Sequence, residues 1–311
     1  MAGRFLYKTV GAVMVMGIAL SGGCGKQSEP DHPQETARSS LEQSIGQDAQ
    51  IGENMGYAEQ EIWCRRDDNN IYGKAYIPKG GGTFPLVIFS HELGNNHTTG
   101  IEYAKRLAAE GFAVYTFDFC GGSVSYMENR SDGKNTEMSV MTEARDLEAV
   151  IEAAGGWDFV DQDHIILMGG SQGGAVAAVV AARKPELVSQ LILLYPALLV
   201  TDSVREMFGS KEAVPEEYDL FGGWIRVGRN YAVDMWDYDV YSEIPKYTGS
   251  VLLLHGDKDG TVPLSYSERA SEIYEDCEFH IIKNGGHEFF GQAFEDAVQI
   301  ILEYLKERYD N

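Results

Sequence analysis

The chain has 311 residues, of which 44% are hydrophobic and 11% aromatic. That length is sufficient for one large buried core, or for a core with an inserted lobe, and the composition excludes an intrinsically disordered chain. The 48 acidic residues outnumber the 25 basic residues and give a formal net charge of -23. This balance disfavours nucleic acid and anionic membrane surfaces as partners.

The N-terminal segment, residues 1–24, has the layout of an export signal. Basic residues precede an apolar stretch at residues 10–20, and small residues lead from there to Cys24. The apolar stretch is short for a membrane span, although a retained N-terminal anchor helix stays an alternative. The segment resembles a bacterial lipoprotein signal, with Ser21 where such signals usually have Leu. The resemblance implies an exported protein, lipid-anchored through Cys24 at the cell surface or in the periplasm, or else secreted.

Residues 25–56 are polar and lack apolar periodicity, which predicts a flexible linker ahead of a folded domain at residues 57–311. Beyond Cys24 the chain contains Cys64, Cys120 and Cys277, without C-x-x-C spacing. This spacing indicates neither a zinc site nor a disulfide framework. We expect buried free thiols, with one bridging pair as the alternative.

From about residue 62 the sequence alternates short apolar runs, which predict strands, with amphipathic runs, which predict helices. The predicted strands are 70–78, 84–91, 113–119, 164–170, 187–197, 250–257 and 278–283, and the predicted helices are 100–112, 137–156, 171–184, 265–274 and 290–308. Continuous apolar strands that alternate with helices indicate an α/β fold, with a mostly parallel central sheet covered by helices on both faces.

This alternation is interrupted at about residues 198–246, where there is no strong strand signal and aromatic residues are dense. We interpret the interruption as a cap lobe inserted over the edge of the sheet that carries the site. Trp224, Tyr231 and Trp236 are its candidate substrate-binding residues. The alternative is that these aromatic side chains simply pack on the core, as Trp and Tyr commonly do.

The stretch GGSQG at residues 169–173 matches the pattern G-x-S-x-G between a predicted strand and a predicted helix. In that context the pattern predicts a strained turn that presents Ser171 as a nucleophile, and glycines are needed because side chains there would collide with backbone. The helix that follows also brings N–H groups and the positive end of its dipole to the site. A plain Gly-rich turn is the alternative.

Two later loops supply the residue types that a serine nucleophile requires, in the order acid and then histidine. A hydroxyl needs a base to take its proton, and a carboxylate to orient that base. Asp257 and Asp259 follow one predicted strand and His287 follows the next. Asp257 is alternatively a turn residue that binds its own loop, and His287 is alternatively a solvated loop imidazole.

The segments FSHELG, FDFCGG, GGSQGG, HGDKDGTVP and GGHEFF make residues 62–308 resemble the α/β-hydrolases, nearest to carboxylesterases of the cinnamoyl or feruloyl esterase type. The resemblance implies an α/β-hydrolase fold with an inserted cap. It also implies a catalytic triad of Ser171, His287 and Asp259, with Asp257 as a second candidate for the acid.

The same resemblance, with the chemistry of acyl transfer, implies an oxyanion hole made by the backbone N–H groups of Leu93 and Gln172. His91 is expected to be a hydrogen-bonded loop residue without a role in proton transfer. Glu92 stands where a Gly is common in the family. A carboxylate facing the developing oxyanion would oppose the reaction, so Glu92 is expected to point away from it or to pair with a cation.

The sequence indicates no metal and no cofactor. It contains neither H-E-x-x-H nor an EF-hand loop, and GGSQGG lacks the Lys of a phosphate-binding P-loop. We therefore expect an exported serine carboxylesterase that hydrolyses a small-molecule ester through an acyl-enzyme, with cinnamoyl or feruloyl esters as one substrate class. The alternatives are a serine peptidase of the prolyl-oligopeptidase-like type and a catalytically silent surface lipoprotein that binds a partner.

Overall fold

The computed structural model describes residues 56–309. The strands are Tyr57–Arg66 (β1), Asn69–Pro78 (β2), Phe84–Ser90 (β3), Ala113–Phe117 (β4), Val160–Gly170 (β5), Gln190–Leu194 (β6), Glu217–Leu220 (β7), Ile225–Gly228 (β8), Ser250–Gly256 (β9) and Cys277–Ile282 (β10). The α-helices are Ile101–Ala109 (α1), Val140–Ala154 (α2), Ser171–Arg183 (α3), Val200–Phe208 (α4), Arg229–Val233 (α5), Val240–Glu243 (α6), Leu264–Ile273 (α7) and Gln292–Tyr309 (α8). The predicted signal segment with Cys24, and all but the end of the predicted linker, lie outside the described residues.

An eight-stranded sheet has the order β1-β2-β4-β3-β5-β6-β9-β10. The six strands from β4 to β10 in this order run parallel, while β1 pairs with β2, and β2 with β4, in antiparallel fashion. The predicted mostly parallel sheet is therefore confirmed. Strand β1 was not predicted, because it is an edge strand whose residues are mostly exposed and polar.

Both faces of the sheet are covered by helices. Side chains alternate between the faces of a strand, so in β3 Leu86 and Ile88 join the cluster that contains buried residues of α2, α3 and α7. Val87 and Phe89 join the opposite cluster, which contains buried residues of α1 and α8. Burial on both faces explains why the central strands are continuously apolar.

The parallel strands bring four chain segments to one edge of the sheet. Strand β3 ends at Ser90, β5 at Gly170, β9 at Gly256 and β10 at Ile282. The carboxyl ends of parallel strands lie on the same side, so the segments that follow these four strands converge there. Such an edge is the usual place for a site in an open α/β sheet.

Residues 195–249 connect β6 to β9 and contain α4, α5, α6 and an antiparallel hairpin of β7 and β8. The hairpin lies in a region where the sequence has no strong strand signal. The two hairpin strands are only four residues long, with the alternating exposure of a half-buried strand. Gly222 and Gly223 form the turn with positive φ angles of 69° and 95°, a conformation that glycine adopts readily.

Cys64 and Cys120 are buried, Cys277 is partly buried, and all three are free thiols. Burial raises the pKa of the Cys64 thiol to about 11, which leaves it in the unreactive protonated form at neutral pH. Among residues 56–309, no helix is long and apolar enough to cross a membrane.

A buried ion pair ties the edge strand β1 to helix α2. The guanidinium of Arg66 donates to the fully buried carboxylate of Asp146. The second oxygen of Asp146 accepts the backbone N–H of Cys120 at 2.9 Å. The neighbouring Arg65 is exposed and pairs with the exposed Asp68.

Replacing Arg66 by Met should destabilise the fold by about 3–5 kcal/mol, because it leaves the buried Asp146 carboxylate without its cation. Urea unfolding followed by circular dichroism measures this change. The matched control Arg65→Met should leave the unfolding midpoint nearly unchanged, since exposed pairs contribute little. Equal effects of the two substitutions would contradict this account of how β1 is held.

Candidate active site

Ser171 lies at the junction between β5 and α3 with a φ angle of +49°. This left-handed conformation is rare for a residue other than Gly, Asn or Asp. Its hydroxyl oxygen lies 2.9 Å from Nε2 of His287. A strained serine at a strand-to-helix turn, in contact with an imidazole, has the geometry of a nucleophile elbow.

The glycines around Ser171 allow a close approach of backbone to backbone. A Cβ on Gly173 would collide with the carbonyl oxygens of Ser90 and His91, and a Cβ on Gly169 would collide with the carbonyl of Gly173. The start of α3 can therefore pack directly on the end of β3 only because these positions have no side chain. This is the steric requirement expected from the GGSQG stretch.

His287 connects Ser171 to Asp259. Nδ1 of His287 lies 2.8 Å from Oδ2 of Asp259, and the other carboxylate oxygen accepts the backbone N–H groups of Thr261 and Val262. Because the carboxylate can only accept, Nδ1 carries the proton. Nε2 is then free to accept the Ser171 hydroxyl proton. The structure thus brings together the three residues predicted as a triad.

Asp259 is fully buried and ionised. Burial alone would raise the pKa of its carboxyl group, but hydrogen bonds from His255 and His287 hold that pKa well below its usual range. The carboxylate therefore keeps its charge at neutral and mildly acidic pH, as an orienting acceptor requires.

His255 is a neighbour of Asp259 that the sequence analysis did not assign. It is fully buried, with Nε2 at 3.2 Å from Oδ2 of Asp259 and 3.0 Å from the carbonyl oxygen of Val262. Both of these are acceptors, so Nε2 carries the proton, and Nδ1, 2.7 Å from the Ser267 hydroxyl, accepts from it. The only sequence signal for His255 was its place at the start of HGDKDGTVP.

Asp257, the second candidate for the acid, has another role. Its carboxylate accepts the N–H of Asn284 at 2.7 Å, and its own N–H donates to the carbonyl of Ile282. Lys258 N–H likewise donates to the carbonyl of Gly285 at 2.8 Å. These bonds join the loop after β9 to the loop after β10, and so hold Asp259 beside His287.

The two predicted oxyanion-hole residues lie at the same edge of the sheet. Gln172 is the second residue of α3, within the first turn, whose backbone N–H groups have no intrahelical acceptor. Leu93 lies in the loop after β3, where the N–H of Gly94 donates to Gly122 and the N–H of Asn95 donates to Glu92. These bonds fix the backbone on the C-terminal side of Leu93.

His91 is buried and bound to backbone on both sides of its ring. Nδ1 lies 2.7 Å from the carbonyl oxygen of Glu92, and Nε2 accepts the N–H of Phe119 at 3.1 Å. Burial lowers the pKa of the imidazole and favours its neutral form. The structure therefore gives His91 the loop-forming place that was expected for it.

Glu92 is buried beside the nucleophile and is held by neutral donors. One carboxylate oxygen accepts the hydroxyl of Tyr195 at 3.0 Å and packs against Gly170, where a Cβ would collide with it. The other oxygen accepts the side-chain amide of Asn95 at 3.4 Å. Of the two alternatives expected for Glu92, the structure does not show pairing with a cation: a phenol and an amide bind this carboxylate.

Tyr195 and Glu288 complete this corner of the site, and neither was predicted. The ring of Tyr195 packs edge-on against His287 with centroids 5.1 Å apart. Glu288 follows His287 with a φ angle of +67°. Burial raises the pKa of the Glu288 carboxyl group, and the nearby Glu92 carboxylate raises it further.

The three aromatic candidates occupy different environments. Trp224, at the end of the hairpin turn, lies directly over Gly94, and its indole N–H donates to the hydroxyl of Tyr126 at 2.6 Å. Tyr231 is buried and donates to the side chain of Gln172. Trp236 is partly buried and packs against the core cluster. This packing matches the alternative that the aromatic side chains of this region pack on the core.

No metal site is evident in the part of the chain that the structure describes. Within residues 56–309, no group of three or more His, Cys, Asp or Glu side chains is arranged to hold a metal ion.

Comparisons with known proteins agree with the fold. The sequence profile of a family described as serine aminopeptidase, S33, matches residues 83–236. The quorum-quenching protein AidA of Acinetobacter baumannii is 21% identical over 286 residues, which cover 77% of this chain and 92% of AidA. Est1E from Butyrivibrio proteoclasticus with ferulic acid bound is 25% identical with a TM-score of 0.73, covering 80% of this chain and 100% of Est1E. Mouse α/β-hydrolase domain-containing protein 10 has a TM-score of 0.60 at 22% identity, covering 81% of this chain and 98% of the mouse chain.

The sheet order, the strained serine at the start of α3 and these similarities define one class of protein. The chain has the α/β-hydrolase fold, and its similarities are those of a hydrolase.

The raised pKa of Glu288 predicts that its charge opposes folding at neutral pH. A carboxyl group whose pKa is raised on folding disfavours the fold above its unfolded-chain pKa of about 4.3. Glu288→Gln should therefore raise the melting temperature at pH 8 by roughly 2 °C or more, with the gain vanishing near pH 4. Calorimetry across that pH range measures it. The exposed Glu275, replaced by Gln, is the control, and a pH-independent effect of Glu288→Gln would contradict the assignment.

Proposed function

We propose that the chain is a serine carboxylesterase. The observation that carries this proposal is the continuous hydrogen-bond chain from Ser171 through His287 to Asp259. It lies at the start of α3, where unpaired N–H groups and the positive end of the helix dipole favour a developing negative charge. Each of the three side chains comes from the loop or turn that follows a different parallel strand.

In the first half of the proposed reaction, Nε2 of His287 takes the Ser171 hydroxyl proton while the oxygen attacks the ester carbonyl. Asp259 stabilises the imidazolium that forms and keeps Nδ1 protonated. The negative charge that moves onto the carbonyl oxygen is received by the backbone N–H groups of Gln172 and Leu93. His287 then returns its proton to the departing alcohol, which leaves an acyl group on Ser171.

In the second half, water replaces the alcohol. His287 takes a proton from the water molecule, and the resulting hydroxide attacks the acyl carbonyl through the same oxyanion geometry. Collapse of the tetrahedral intermediate releases the carboxylic acid and returns the proton to Ser171. Each half of the cycle starts from an imidazole with its proton on Nδ1, the nitrogen that lies beside the Asp259 carboxylate, and with Nε2 beside the Ser171 hydroxyl.

We further propose that the ester carries an apolar or aromatic group, as in cinnamoyl and feruloyl esters. Trp224 covers the loop after β3 at Gly94, next to the proposed oxyanion donor Leu93. Its indole is 39% exposed, and the neighbouring Phe221 and Tyr126 are 67% and 72% exposed. Large aromatic faces left open beside a reaction centre suit a flat apolar ligand. The structurally similar Est1E holds ferulic acid.

A serine peptidase is the second candidate, because the profile that matches residues 83–236 is described as a serine aminopeptidase. Peptidases and esterases share the nucleophile, base and acid, so the site geometry alone does not separate them. Hydrolysis of matched ester and amide substrates separates them directly.

The first test is the effect of Ser171→Ala on hydrolysis of p-nitrophenyl acetate, p-nitrophenyl butyrate, methyl ferulate and an alanyl p-nitroanilide. Loss of the nucleophile should lower kcat by at least about 10³-fold without changing the melting temperature by more than a few degrees. Retained ester hydrolysis in this variant would refute the proposal. Amide cleavage faster than ester cleavage would favour the peptidase, and wild-type inactivity on every substrate would favour a binding protein.

The two aspartates of HGDKDGTVP provide a matched pair of variants. Asp259→Asn should lower kcat by about 10²–10⁴-fold, because an amide no longer holds His287 in the required tautomer. Asp257→Asn removes a loop contact and should cost less than about tenfold. Steady-state kinetics on p-nitrophenyl butyrate measures both, and a larger loss in Asp257→Asn would reassign the acid.

Trp224→Ala tests the proposed aromatic surface. Losing a stacked ring should raise KM for methyl ferulate by about tenfold, which corresponds to about 1.4 kcal/mol, while KM for p-nitrophenyl acetate changes little. Trp63→Ala is the control, since Trp63 is also exposed but lies on the edge strand β1. Equal effects of Trp224→Ala on the two esters would remove the proposed preference for aromatic groups.

A further inference from the structure

The side chain of Gln172 is hydrogen bonded at both ends. Its carbonyl oxygen accepts the hydroxyl of Tyr231 at 2.7 Å, and its amide nitrogen donates to Oε2 of Glu143 at 2.8 Å. Tyr231 belongs to α5, within residues 195–249 between β6 and β9, which we call the inserted segment, and Glu143 belongs to α2. Gln172 therefore links the insertion to the main fold at the residue that follows the serine.

This chain of side chains is buried. Glu143 is 1% exposed and Tyr231 is 5% exposed. Burial raises the pKa of the Glu143 carboxyl well above its usual value, which favours the protonated form of the group. Among the described residues, its second oxygen has no hydrogen-bond partner. Burying an oxygen without a hydrogen-bond partner costs far less free energy in a protonated carboxyl group than in an ionised carboxylate.

Tyr231 is itself held in place, because residues close to it in the sequence are hydrogen bonded to the start of α2 and the segment before it. The side-chain amide of Asn230, also in α5, donates to the carbonyl oxygens of Glu137 and Met138 at 3.0 Å. The hydroxyl of Ser139, which caps α2, donates to Asp234 at 2.6 Å. The position of Tyr231 relative to α2 and Glu143 is thus set by contacts of Asn230 and Asp234, which lie on either side of Tyr231 in the sequence.

We propose that Glu143 and Tyr231 are positioning residues that hold Gln172 so that its backbone N–H points at the oxyanion. The inference rests on the proposed serine-hydrolase function. A buried amide that loses a partner costs about 1–3 kcal/mol, and the first turn of α3 can relieve that cost by shifting. Such a shift moves the oxyanion donor, and oxyanion stabilisation depends on donor distance. The inserted segment thereby contributes to the reaction centre without touching the reacting atoms.

The test compares four variants: Tyr231→Phe, Glu143→Leu, Glu143→Gln and, as the control, Tyr218→Phe. Tyr218 lies in the same insertion, is buried, and has no hydrogen-bond partner for its hydroxyl among the described residues. Two quantities are measured for each: kcat and KM on p-nitrophenyl butyrate, and the second-order rate constant for labelling by a fluorophosphonate. The phosphonyl oxygen occupies the same oxyanion position, so labelling reports the donors without requiring ester turnover.

Tyr231→Phe and Glu143→Leu should lower both kcat and the labelling rate by about 5–30-fold, with KM within about twofold of wild type. Glu143→Gln should recover most of the rate lost in Glu143→Leu, because its side-chain carbonyl can accept the same bond from Gln172. Tyr218→Phe should match wild type. Since Tyr231→Phe removes one oxygen atom and keeps the ring, it decides the question even if Glu143→Leu fails to fold.

Wild-type kcat and labelling in Tyr231→Phe would overturn the positioning inference and leave the proposed function intact. A change in KM alone, or a loss in Tyr218→Phe as large as in Tyr231→Phe, would also overturn it, because either result indicates general loosening of the insertion. If the wild-type protein is not labelled at all, the proposed nucleophile is wrong, and the positioning inference fails with it.

Discussion

The close approach of helix α3 to strand β3 is the constraint on which the site depends. Gly173 lies so near the carbonyls of Ser90 and His91 that no side chain fits. Helix α3 begins immediately after β5, and Ser171 at this junction has a left-handed conformation. Moving α3 outward by the width of a methyl group would withdraw both the serine hydroxyl and the first N–H groups of the helix from His287.

A second set of contacts holds the acid and the histidine against this fixed point. Gly256 packs on the carbonyls of Gly285 and Gly286, and Asp257 binds the N–H of Asn284. Beneath them, His255 donates to the Asp259 carboxylate. The charge on Asp259 is thus supported by hydrogen bonds from more than one direction, and the imidazole it orients has one available tautomer.

Much of this arrangement follows from the sequence, because its signals are local. The apolar strands and the glycine pattern around Ser171 specify a parallel sheet and an elbow. The positions of Asp257, Asp259 and His287 after successive strands indicate that an acid and a histidine meet at one edge, because the carboxyl ends of parallel strands share that edge. The choice of Asp259 over Asp257 rests on the resemblance to the α/β-hydrolases.

The remainder depends on contacts between distant segments, which local patterns do not encode. Glu92 is held by Tyr195, which is 103 residues away, and no feature near either residue indicates that pairing. The same holds for Gln172, whose bonds reach Glu143 and Tyr231. Strand β1 and the hairpin of β7 and β8 were not predicted, because short or exposed strands have few buried apolar residues and therefore a weak sequence pattern.

Two residues of the inserted segment, Trp224 and Tyr231, lie against the loop and the helix that carry the proposed oxyanion donors. The partly exposed side chain of Trp224 covers the loop after β3. The buried Tyr231 donates a hydrogen bond to the side chain of Gln172. Beside them, burial and the Glu92 carboxylate raise the pKa of the Glu288 carboxyl group. Glu288 stays next to His287 although its charge opposes folding, so its place in the fold is not explained by stability.

The most direct measurement of the central claim is the site of covalent labelling by a fluorophosphonate, mapped by peptide mass spectrometry. The account predicts a single adduct on Ser171, formed at a rate that falls sharply when His287 is replaced by Ala. An adduct on another residue, or a labelling rate at Ser171 that does not depend on His287, would contradict it.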